Sequence, residues 1–511
     1  MLGRRWRRAL VWGLLCWSGA ASAASWMLAE SPHFRVLAHT SRSNAEAKLQ
    51  DLERLHEAML MVLGATASPS RPPFPMVLSD DQDLIGRVRP HLRDRRFAGL
   101  FMSSADGAQA FAVNYRGAGE FTDRVLFHEY AHRLMFQYAR MTYPVWFVEG
   151  FAEYFGATKV DPSGVEIGGF NESVSILGQR FMLDPERLLK PNFRSTGDKE
   201  ADDSFFHLFY PQSWLLTHYV LSETPRVERF NEYFRRVAAG EDALAALEPA
   251  TGIAPARLNG ELRRHLSNQY TLRIPAGKAA AVRITELQDE LAESLFDDML
   301  ITSLPEAAQG KEVLARQRER VKKAGGDRAP DAMRWALAHA EIRYGDTDKA
   351  LELLAPWAGL DEAPFEANRL LGWAWQSEAA RTQGAESDQA LEQALGFLMA
   401  AYKQRRNDAP TLYQLARVLL HKGPSASLSN AAESASLLEP QVAEYAHLAV
   451  YVHLQAGHRD KALRPLQTLA SNPHGGEGAE RARAALQALQ SNQDADTVLA
   501  LLNGSKKADT P

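Results

Sequence analysis

The stretch His128-Glu-Tyr-Ala-His132 combines residue types and a spacing that suit metal chemistry. On an α-helix, positions i and i+4 lie on one face, so both imidazoles can bind the same metal ion. Glu129 projects beside them, where its carboxylate can take a proton from a water that zinc has made more acidic. The alternative is a surface helix that carries two histidines with no shared role. The residue types therefore fit a zinc-dependent hydrolytic site.

A second candidate helix contains the segment Trp146-Phe-Val-Glu149-Gly-Phe-Ala-Glu153, and sixteen residues separate His132 from Glu149. The flanks of Glu149 are apolar, and a charged residue there is costly unless it is paired or bound to metal. Glu153 lies one turn later on the same face, where it can accept a hydrogen bond from the outer nitrogen of a ligand histidine. A solvated helix face is the alternative, but the aromatic neighbours leave little room for one.

These two segments resemble the gluzincin zinc metallopeptidases, which include thermolysin and aminopeptidase N. The segment Trp146-Phe-Val-Glu-Gly-Phe-Ala152 is especially similar to the aminopeptidase N branch. The span from Trp26 to about residue 270 is similar to bacterial peptidase-MA-like proteins, which are often fused to tetratricopeptide repeats. The resemblance implies an α+β, thermolysin-like peptidase domain with a small mixed sheet plus helices.

The resemblance also implies a role for each residue of the two segments. The zinc ligands would be His128, His132 and Glu149. Glu129 would be the general base, and Glu153 would hold a ligand histidine in place.

A tyrosine on a later helix completes the site in the aminopeptidase N branch, in a pattern like Tyr-x-x-Gly. The matching segment here is Tyr210-Pro-Gln-Ser213, with serine in place of glycine. We expect Tyr210 to donate a hydrogen bond to the developing oxyanion, because a phenol can do so without carrying charge. An ordinary half-buried tyrosine is the alternative, and His207 and His218 are the next candidates for the donor.

The sequence departs from the aminopeptidases before the zinc helix. They carry Gly-x-Met-Glu-Asn there, whose glutamate holds the free amine of the substrate, whereas this chain has Ala110-Phe-Ala-Val-Asn114 with no acidic residue. The departure favours an endopeptidase over an aminopeptidase. We expect that strand to pair with an extended peptide backbone, as an exposed edge does.

Periodicity predicts the elements that position these residues. Alternating patterns predict strands, and apolar residues at helical spacing predict helices. The predicted strands are 33–39, 73–78, 98–103 and 108–115, and the predicted helices are 44–63, 121–138, 146–155 and 205–221.

The C-terminal part repeats a motif, because Gly345-x-x-Asp-Lys-Ala350 recurs as Gly457-x-x-Asp-Lys-Ala462. The offset of 112 residues is close to three repeats of about 34 residues with an insertion. The helix pairs look like tetratricopeptide repeats, which stack into an all-α solenoid and end in a polar cap. The predicted pairs are 331–356, 365–403, 410–439 and 442–472, and residues 477–502 are the predicted cap.

The N-terminus predicts export. Four arginines between positions 4 and 8, an apolar run to Trp17 and small residues up to Ala23 are typical of a cleavable secretory signal. An uncleaved membrane anchor is the alternative. Cleavage removes Cys16, the only cysteine, and changes the net charge from −5 to −9. A chain without cysteine suits an oxidising compartment and cannot form disulfides or use a thiol in catalysis.

Composition narrows the class of function. The chain has 511 residues, of which 45% are hydrophobic and 24% are charged, as in ordinary globular proteins. Its acidic balance gives no basic excess for a polyanion, so we expect no nucleic-acid partner. No later segment is long and apolar enough to span a membrane.

The sequence as a whole predicts a signal peptide, a peptidase domain, a connector and a repeat domain. The predicted boundaries are 1–23 for the signal peptide, 24–275 for the gluzincin-like domain, 276–330 for a helical connector, 331–503 for the repeats and 504–511 for a tail. The Gly- and Pro-containing stretch 324–330 predicts that the halves fold separately.

The expected function is a periplasmic or secreted zinc-dependent peptidase that acts on polypeptides and binds a protein through its repeats. The alternative is a catalytically silent metal-binding scaffold that acts through the repeats.

Overall fold

The computed structural model describes residues 24–66, 71–93, 98–114, 119–138, 141–169, 172–179, 181–191, 198–267 and 270–504. The expected signal peptide and residues 505–511 of the expected tail lie outside these ranges. In the described part of the chain, no helix is both long and apolar enough to cross a membrane.

The strands form two sheets. They are β1 (Ser25–Glu30), β2 (Phe34–Thr40), β3 (Phe74–Ser79), β4 (Gly99–Ser104), β5 (Gly107–Val113), β6 (Lys159–Asp161), β7 (Gly164–Ile167), β8 (Leu272–Pro275) and β9 (Arg283–Glu286). The larger sheet has six strands in the order β4-β5-β3-β2-β1-β9, and the smaller has three in the order β6-β7-β8. In the larger sheet β3 runs parallel to β2 and to β5, whereas the other pairs are antiparallel. The sheet is therefore mixed, and β4 lies at one edge.

The first half of the chain also forms nine α-helices within the described residues. They are α1 (Arg42–Leu63), α2 (Leu84–Val88), α3 (Gly119–Tyr138), α4 (Val145–Gly156), α5 (Pro185–Leu189), α6 (Lys199–Leu221), α7 (Thr224–Ala238), α8 (Leu247–Thr251) and α9 (Pro255–Leu266). The predicted helices correspond to α1, α3, α4 and α6, although α6 begins six residues earlier than the periodicity indicates.

Successive side chains of a strand point to opposite faces of the sheet. In the larger sheet both faces are buried in apolar cores. On β2, Val36 and Ala38 face the core that contains α1, α3 and α4, whereas Leu37 faces the opposite side. On β5, Ala110 and Phe111 divide in the same way. A sheet buried on both faces must be covered by helices on both sides.

The second face is covered by α10 (Asp289–Thr302), α11 (Ala307–Lys323) and α12 (Asp331–Tyr344). Phe296 and Leu300 of α10 pack in this second core with Val77 and Phe111 of the sheet. The segment 276–330, which we expected to be a helical connector, thus supplies a layer of this core and also strand β9, which pairs with β1.

The rest of the chain is all-helical and consistent with a tetratricopeptide-like solenoid. It continues with α13 (Thr347–Ala358), α14 (Phe365–Arg381), α15 (Ala385–Gln404), α16 (Ala409–Leu420), α17 (Ala426–Leu438), α18 (Ala443–Gln455), α19 (Arg459–Ala470), α20 (Gly476–Gln490) and α21 (Ala495–Asn503). The four predicted helix pairs and the terminal pair are present at these positions. Close approach depends on small residues: a Cβ on Gly372 of α14 would lie 2.5 Å from Cγ of Leu398 on α15.

The later repeats return to the first half of the molecule. Apolar residues of α16, α17 and α18, including Leu412, Leu428 and Tyr445, belong to the same core as the first face of the sheet. The hydroxyl of Tyr445 also donates to the carbonyl of Ala105, at 3.1 Å. The stretch 324–330 therefore precedes the first repeat helix without marking a break in the packing.

Candidate metal centre

Helix α4 is the element around which the site is built. Every residue of α4 from Trp146 to Gly156 is buried, so the helix is enclosed on all sides, as its all-round apolar sequence requires. A Cβ on Gly150 would lie 2.2 Å from the carbonyl oxygen of Ser213 and from Oγ1 of Thr217, so glycine lets α4 and α6 touch. Gly156 does the same towards α3, where a Cβ would lie 3.4 Å from Cβ of His128.

The close contact of α3 and α4 brings three of the sequence-predicted residues together. The Nε2 atoms of His128 and His132 lie 3.2 Å apart. Each of these nitrogens lies 3.5 Å from Oε2 of Glu149. The histidines project from one face of α3, as the i, i+4 spacing predicts, and the carboxylate of α4 faces them.

Glu149 is fully buried, with 0% of its side chain exposed. Among the described residues, neither of its carboxylate oxygens accepts a hydrogen bond. Burial alone would raise the pKa of Glu149, but His132 and then His128 hold that pKa well below its usual range, so the group is an anion. A buried anion without hydrogen bonds is costly, and a cation bound beside it removes the cost. The carboxylate is therefore suited to bind a metal ion.

A residue that the sequence analysis did not identify completes the cluster. His474, in the loop between α19 and α20, places its Nε2 atom 3.5 Å from Oε1 of Glu149. Ligand atoms of His128, His132, Glu149 and His474 all lie within 4.8 Å of one another. The local sequence, Asn472-Pro-His-Gly-Gly476, offers only a weak signal, which is a histidine in a tight turn rather than on a helix.

The donor atoms fit zinc. Zinc–nitrogen and zinc–oxygen distances of about 2.0–2.2 Å place the ligand atoms of a tetrahedral site about 3.3–3.6 Å apart. The separations among His128, His132 and Glu149, between 3.2 and 3.5 Å, agree with that spacing. The widest separation in the four-residue cluster is 4.8 Å, so His474 would have to move closer to share the ion with the other three. Imidazole nitrogens and a carboxylate oxygen are also the donors that zinc takes when no thiolate is present.

Glu153 and Arg124 support the cluster from outside. Oε1 of Glu153 lies 3.3 Å from Nδ1 of His128, and Arg124 donates to the other carboxylate oxygen of Glu153 at 2.9 Å. Burial opposes charge on His128, but its contacts with Glu149 and then Glu153 raise its pKa well above the ordinary value. This arrangement fixes which nitrogen of His128 faces the cluster. Arg124, one turn before His128, is a second residue that the sequence analysis missed.

A cavity of about 850 Å³ opens beside the histidines. Its walls come from β4, α3, α6 and two loops of the repeat region, and they include Glu129, Tyr210, Gln441 and His474. Burial raises the pKa of Tyr210 above its ordinary value, with Glu149 as the next cause, so the phenol keeps its proton. Glu129 and Tyr210 therefore share one cavity with the candidate ligands.

The other two candidate donors do not share this cavity wall. His207 is exposed on α6. His218 is buried, and its Nδ1 lies 2.8 Å from Nε2 of His265 while its Nε2 donates to the carbonyl of Tyr270 at 3.0 Å. Both nitrogens of His218 are thus engaged, one with α9 and the other with the chain that follows α9.

The strand that presents a free edge to the cavity is β4 rather than β5. Residues 110–114, which we expected to pair with a peptide, lie in and directly after β5, which is bonded on both sides by β3 and β4. Gly99, Phe101 and Ser103 of β4 line the cavity instead. Within the described residues β4 has no strand on its outer side.

The repeat region is bonded to α3 next to the cluster. Arg133, which follows His132, forms a two-pronged ion pair with Glu439 in the turn between α17 and α18, and one of the two contacts measures 2.6 Å. The carbonyl of Leu438 accepts from Arg71 at 2.8 Å. The repeats therefore form one wall of the site.

Comparisons with known proteins place few constraints on this chain. No family model matches the sequence, and no curated protein matches it. One solved structure with some likeness is the crystal structure of a thermophilic TPR protein from Thermus thermophilus. It is 18% identical, covers 38% of this chain and 98% of its own, and gives a TM-score of 0.31. The assignment of a function therefore depends on the geometry of the site.

Proposed function

We propose that the protein is a zinc-dependent peptidase that hydrolyses internal bonds of polypeptides. The observation that carries the proposal is the buried carboxylate of Glu149, which accepts no hydrogen bond within the described part of the chain and faces the paired imidazoles of His128 and His132. These three residues would hold zinc. When bound, zinc supplies a Lewis acid that polarises a carbonyl and makes water nucleophilic near neutral pH.

The residues of the chain then have separate tasks. Glu129 lines the same cavity and accepts the proton that the attacking water loses. Tyr210 remains protonated and donates to the oxyanion that develops on the substrate carbonyl. Arg124 and Glu153 hold His128 in one orientation.

Polypeptide is the substrate class that the surroundings favour. The free edge of β4 forms one wall of the cavity, and an extended peptide can add to such an edge through main-chain hydrogen bonds. The segment 110–114 offers no carboxylate to hold a free amine, which supports cleavage within chains rather than from their N-terminus.

Location and partner follow from the two ends of the chain. Residues 1–23 have the pattern of a secretory signal, so we propose a periplasmic or secreted protein. Helical repeats commonly bind other proteins, so α12 to α21 would recruit a substrate or a partner protein.

A second candidate function is a metal-binding scaffold without catalysis. His474 favours it, because four protein ligands are typical of structural zinc sites, whereas catalytic sites keep one position for water. In that case the metal would fasten the repeats to the first half of the chain.

One experiment separates the two functions. The purified protein should contain one zinc per chain, and it should cleave peptides in a proteome-derived mixture. Glu129→Gln should keep zinc and lose hydrolysis by about a hundredfold or more, because an amide cannot accept the proton while its size is preserved. His132→Ala should lose most of the zinc, and it serves as the metal-free reference. Zinc at full occupancy with no cleavage by the parent protein would favour the scaffold.

A further inference from the structure

His474 differs from the other three candidate ligands in its surroundings. Its side chain is 54% exposed, whereas those of His128, His132 and Glu149 are at most 14% exposed. Its ring meets the ring of His132 edge to face, with centroids 5.5 Å apart. It therefore reaches the cluster from the open side of the cavity, where a substrate must also enter.

Hydrogen bonds within the loop that carries His474 hold it in a tight turn. The side-chain oxygen of Asn472 accepts from the main-chain N–H of His474 at 2.9 Å, and the main-chain oxygen of Asn472 accepts from Gly475 at 3.3 Å. Gly476 follows with φ of +51°, a conformation that favours glycine. The turn thus directs the imidazole away from α19 and α20 and towards Glu149.

Helix α19, before this loop, is fixed to the first half of the chain. Oε1 of Gln467 accepts from the hydroxyl of Thr142 at 3.1 Å, and Nε2 of Gln467 donates to the carbonyl of Ala238 at 3.0 Å. One glutamine side chain therefore holds α19 against both the α3–α4 loop and the end of α7. The position of His474 is set by contacts between the halves and not by its own loop alone.

We propose that His474 is a fourth zinc ligand and that it keeps the resting protein latent. The inference rests on the proposed function, because it assigns the regulation of that same site. If His474 moved in to bind as well, the cluster would supply the four protein ligands that are typical of a closed zinc site. A catalytic site needs one of those positions for water or substrate, so hydrolysis requires His474 to withdraw.

His474 is the ligand best able to withdraw. Helix α4 is buried along its length and α3 is packed against it, so the other three side chains move only if the core moves. The imidazole of His474 is already half exposed, so only the loop 471–475 has to move outwards to release it. Withdrawal would open the cavity next to the free edge of β4.

The ligand assignment is tested by X-ray absorption at the zinc edge, which counts imidazole ligands independently of activity. The parent protein should show three imidazoles, and His474→Ala should show two. His458→Ala is the matched control, because His458 is an exposed histidine of the same repeats, and it should show three. Zinc affinity, measured by competition with a chelator, should fall at least about tenfold in His474→Ala, the lower end of what loss of a supporting residue costs.

Latency is tested on the same samples. Peptide hydrolysis per bound zinc should rise about tenfold or more in His474→Ala, because the competent fraction of molecules increases. His474→Asn, which keeps a polar side chain, should behave in the same way. Thermal melting with zinc present should confirm that both variants are folded.

The outcomes distinguish the inference from the function on which it rests. Two imidazoles in the parent protein would overturn the ligand assignment and leave a zinc peptidase site intact. Three imidazoles with hydrolysis lower in His474→Ala would overturn latency and make His474 a group that acts on the substrate. Absence of zinc from all the variants and the parent would overturn the proposed function itself.

Discussion

Tyr210 occupies a position on α6 where a phenol faces carboxylates. It lines the cavity with Glu129, and its pKa is raised by burial first and by Glu149 and Glu153 next. A tyrosine that stays neutral beside anions can donate a hydrogen bond.

Tyr210→Phe should therefore reduce the maximal rate by about a hundred- to a thousandfold, the usual cost of losing one oxyanion donor. The effect should fall on kcat rather than on KM, because the bond is made mainly in the transition state. Zinc content should remain that of the parent protein. A fully active Tyr210→Phe would show that the oxyanion donor lies elsewhere.

His56 is a buried histidine that contacts helix α3. Nδ1 of His56 on α1 lies 2.8 Å from the hydroxyl of Tyr130, which follows Glu129. Burial, and then the neighbouring charge of His33, lowers the pKa of His56 to about 3. Arg133 acts in the same direction and Glu53 in the opposite one. The fold therefore contains neutral His56, whereas the unfolded chain takes up a proton below about pH 6.5.

It follows that His56 stabilises the fold above pH 6.5 and that this contribution is lost as the pH falls towards 3. Between pH 7 and pH 5 the loss is about 2 kcal/mol of unfolding free energy. The His56→Gln side chain cannot titrate. Its unfolding free energy, measured by urea unfolding, should therefore fall by about 2 kcal/mol less than that of the parent protein between pH 7 and pH 5. An identical pH dependence in the variant would contradict the assignment.

Residue spacing predicts contacts within one helix and between neighbouring helices, but not contacts across the whole chain. The i, i+4 spacing of a helix predicts that His128 and His132 meet. The cost of an unpaired charge among aromatic residues predicts a partner for Glu149. His474 lies 325 residues after Glu149, in a turn whose sequence carries no periodic signal. Only the path of the repeats brings it to the cluster.

Helices α4 and α6 pack so closely that no side chain fits between them at position 150. Gly150 follows Glu149 directly, and any side chain there would collide with the backbone of α6 at Ser213. A shift of α4 would move the carboxylate away from the imidazoles.

Gly150→Ala should lower the unfolding free energy by about 1–3 kcal/mol, the usual effect of overpacking, and it should weaken zinc binding as well. Gly396→Ala is the control. Gly396 is exposed within α15, and a Cβ added there would have no atom within 4 Å, so alanine should stabilise by up to about 1 kcal/mol. Differential scanning calorimetry and chelator competition measure the two effects. Equal stability of both variants would contradict the close contact.

Element types were predictable where the apolar period was long and uninterrupted, as in α1, α3 and the repeat helices. Strand β9 was missed because its four residues, Arg283–Glu286, lie in a stretch interpreted as a connector. Its burial is slight on both sides, so the alternation of one isoleucine with polar residues gives little signal. Pairing with β1 decides its structure.

The two halves of the molecule contribute residues to the same two apolar cores, one on each face of the larger sheet. Leu412, Leu428 and Tyr445 of the repeats pack with the first face of the sheet, and α10 to α12 cover the second face. The repeats are thus in contact with the sheet region through both cores.

A protease site inserted at Gly325–Gly326 should therefore be cleavable without separating the fragments. After cleavage the two pieces should elute together in size-exclusion chromatography in native buffer, and they should part only in denaturant. Residues 331–511 expressed alone should be helical but poorly soluble, because the core residues of α16 to α18 would be exposed. Separate elution of the cleaved pieces would show that each half is self-sufficient, as the Gly- and Pro-containing stretch had suggested.

Because Glu149 and His474 are far apart in sequence, they are synthesised at different times. Chains are made from the N-terminus, and domains generally fold as units in that order. The three-residue cluster of α3 and α4 can then assemble while the last repeats are still being synthesised. On this order of events, a newly made chain passes through an interval in which His474 has not yet reached the cluster. A chain truncated between the end of α18 and residue 474 would remain in that state permanently.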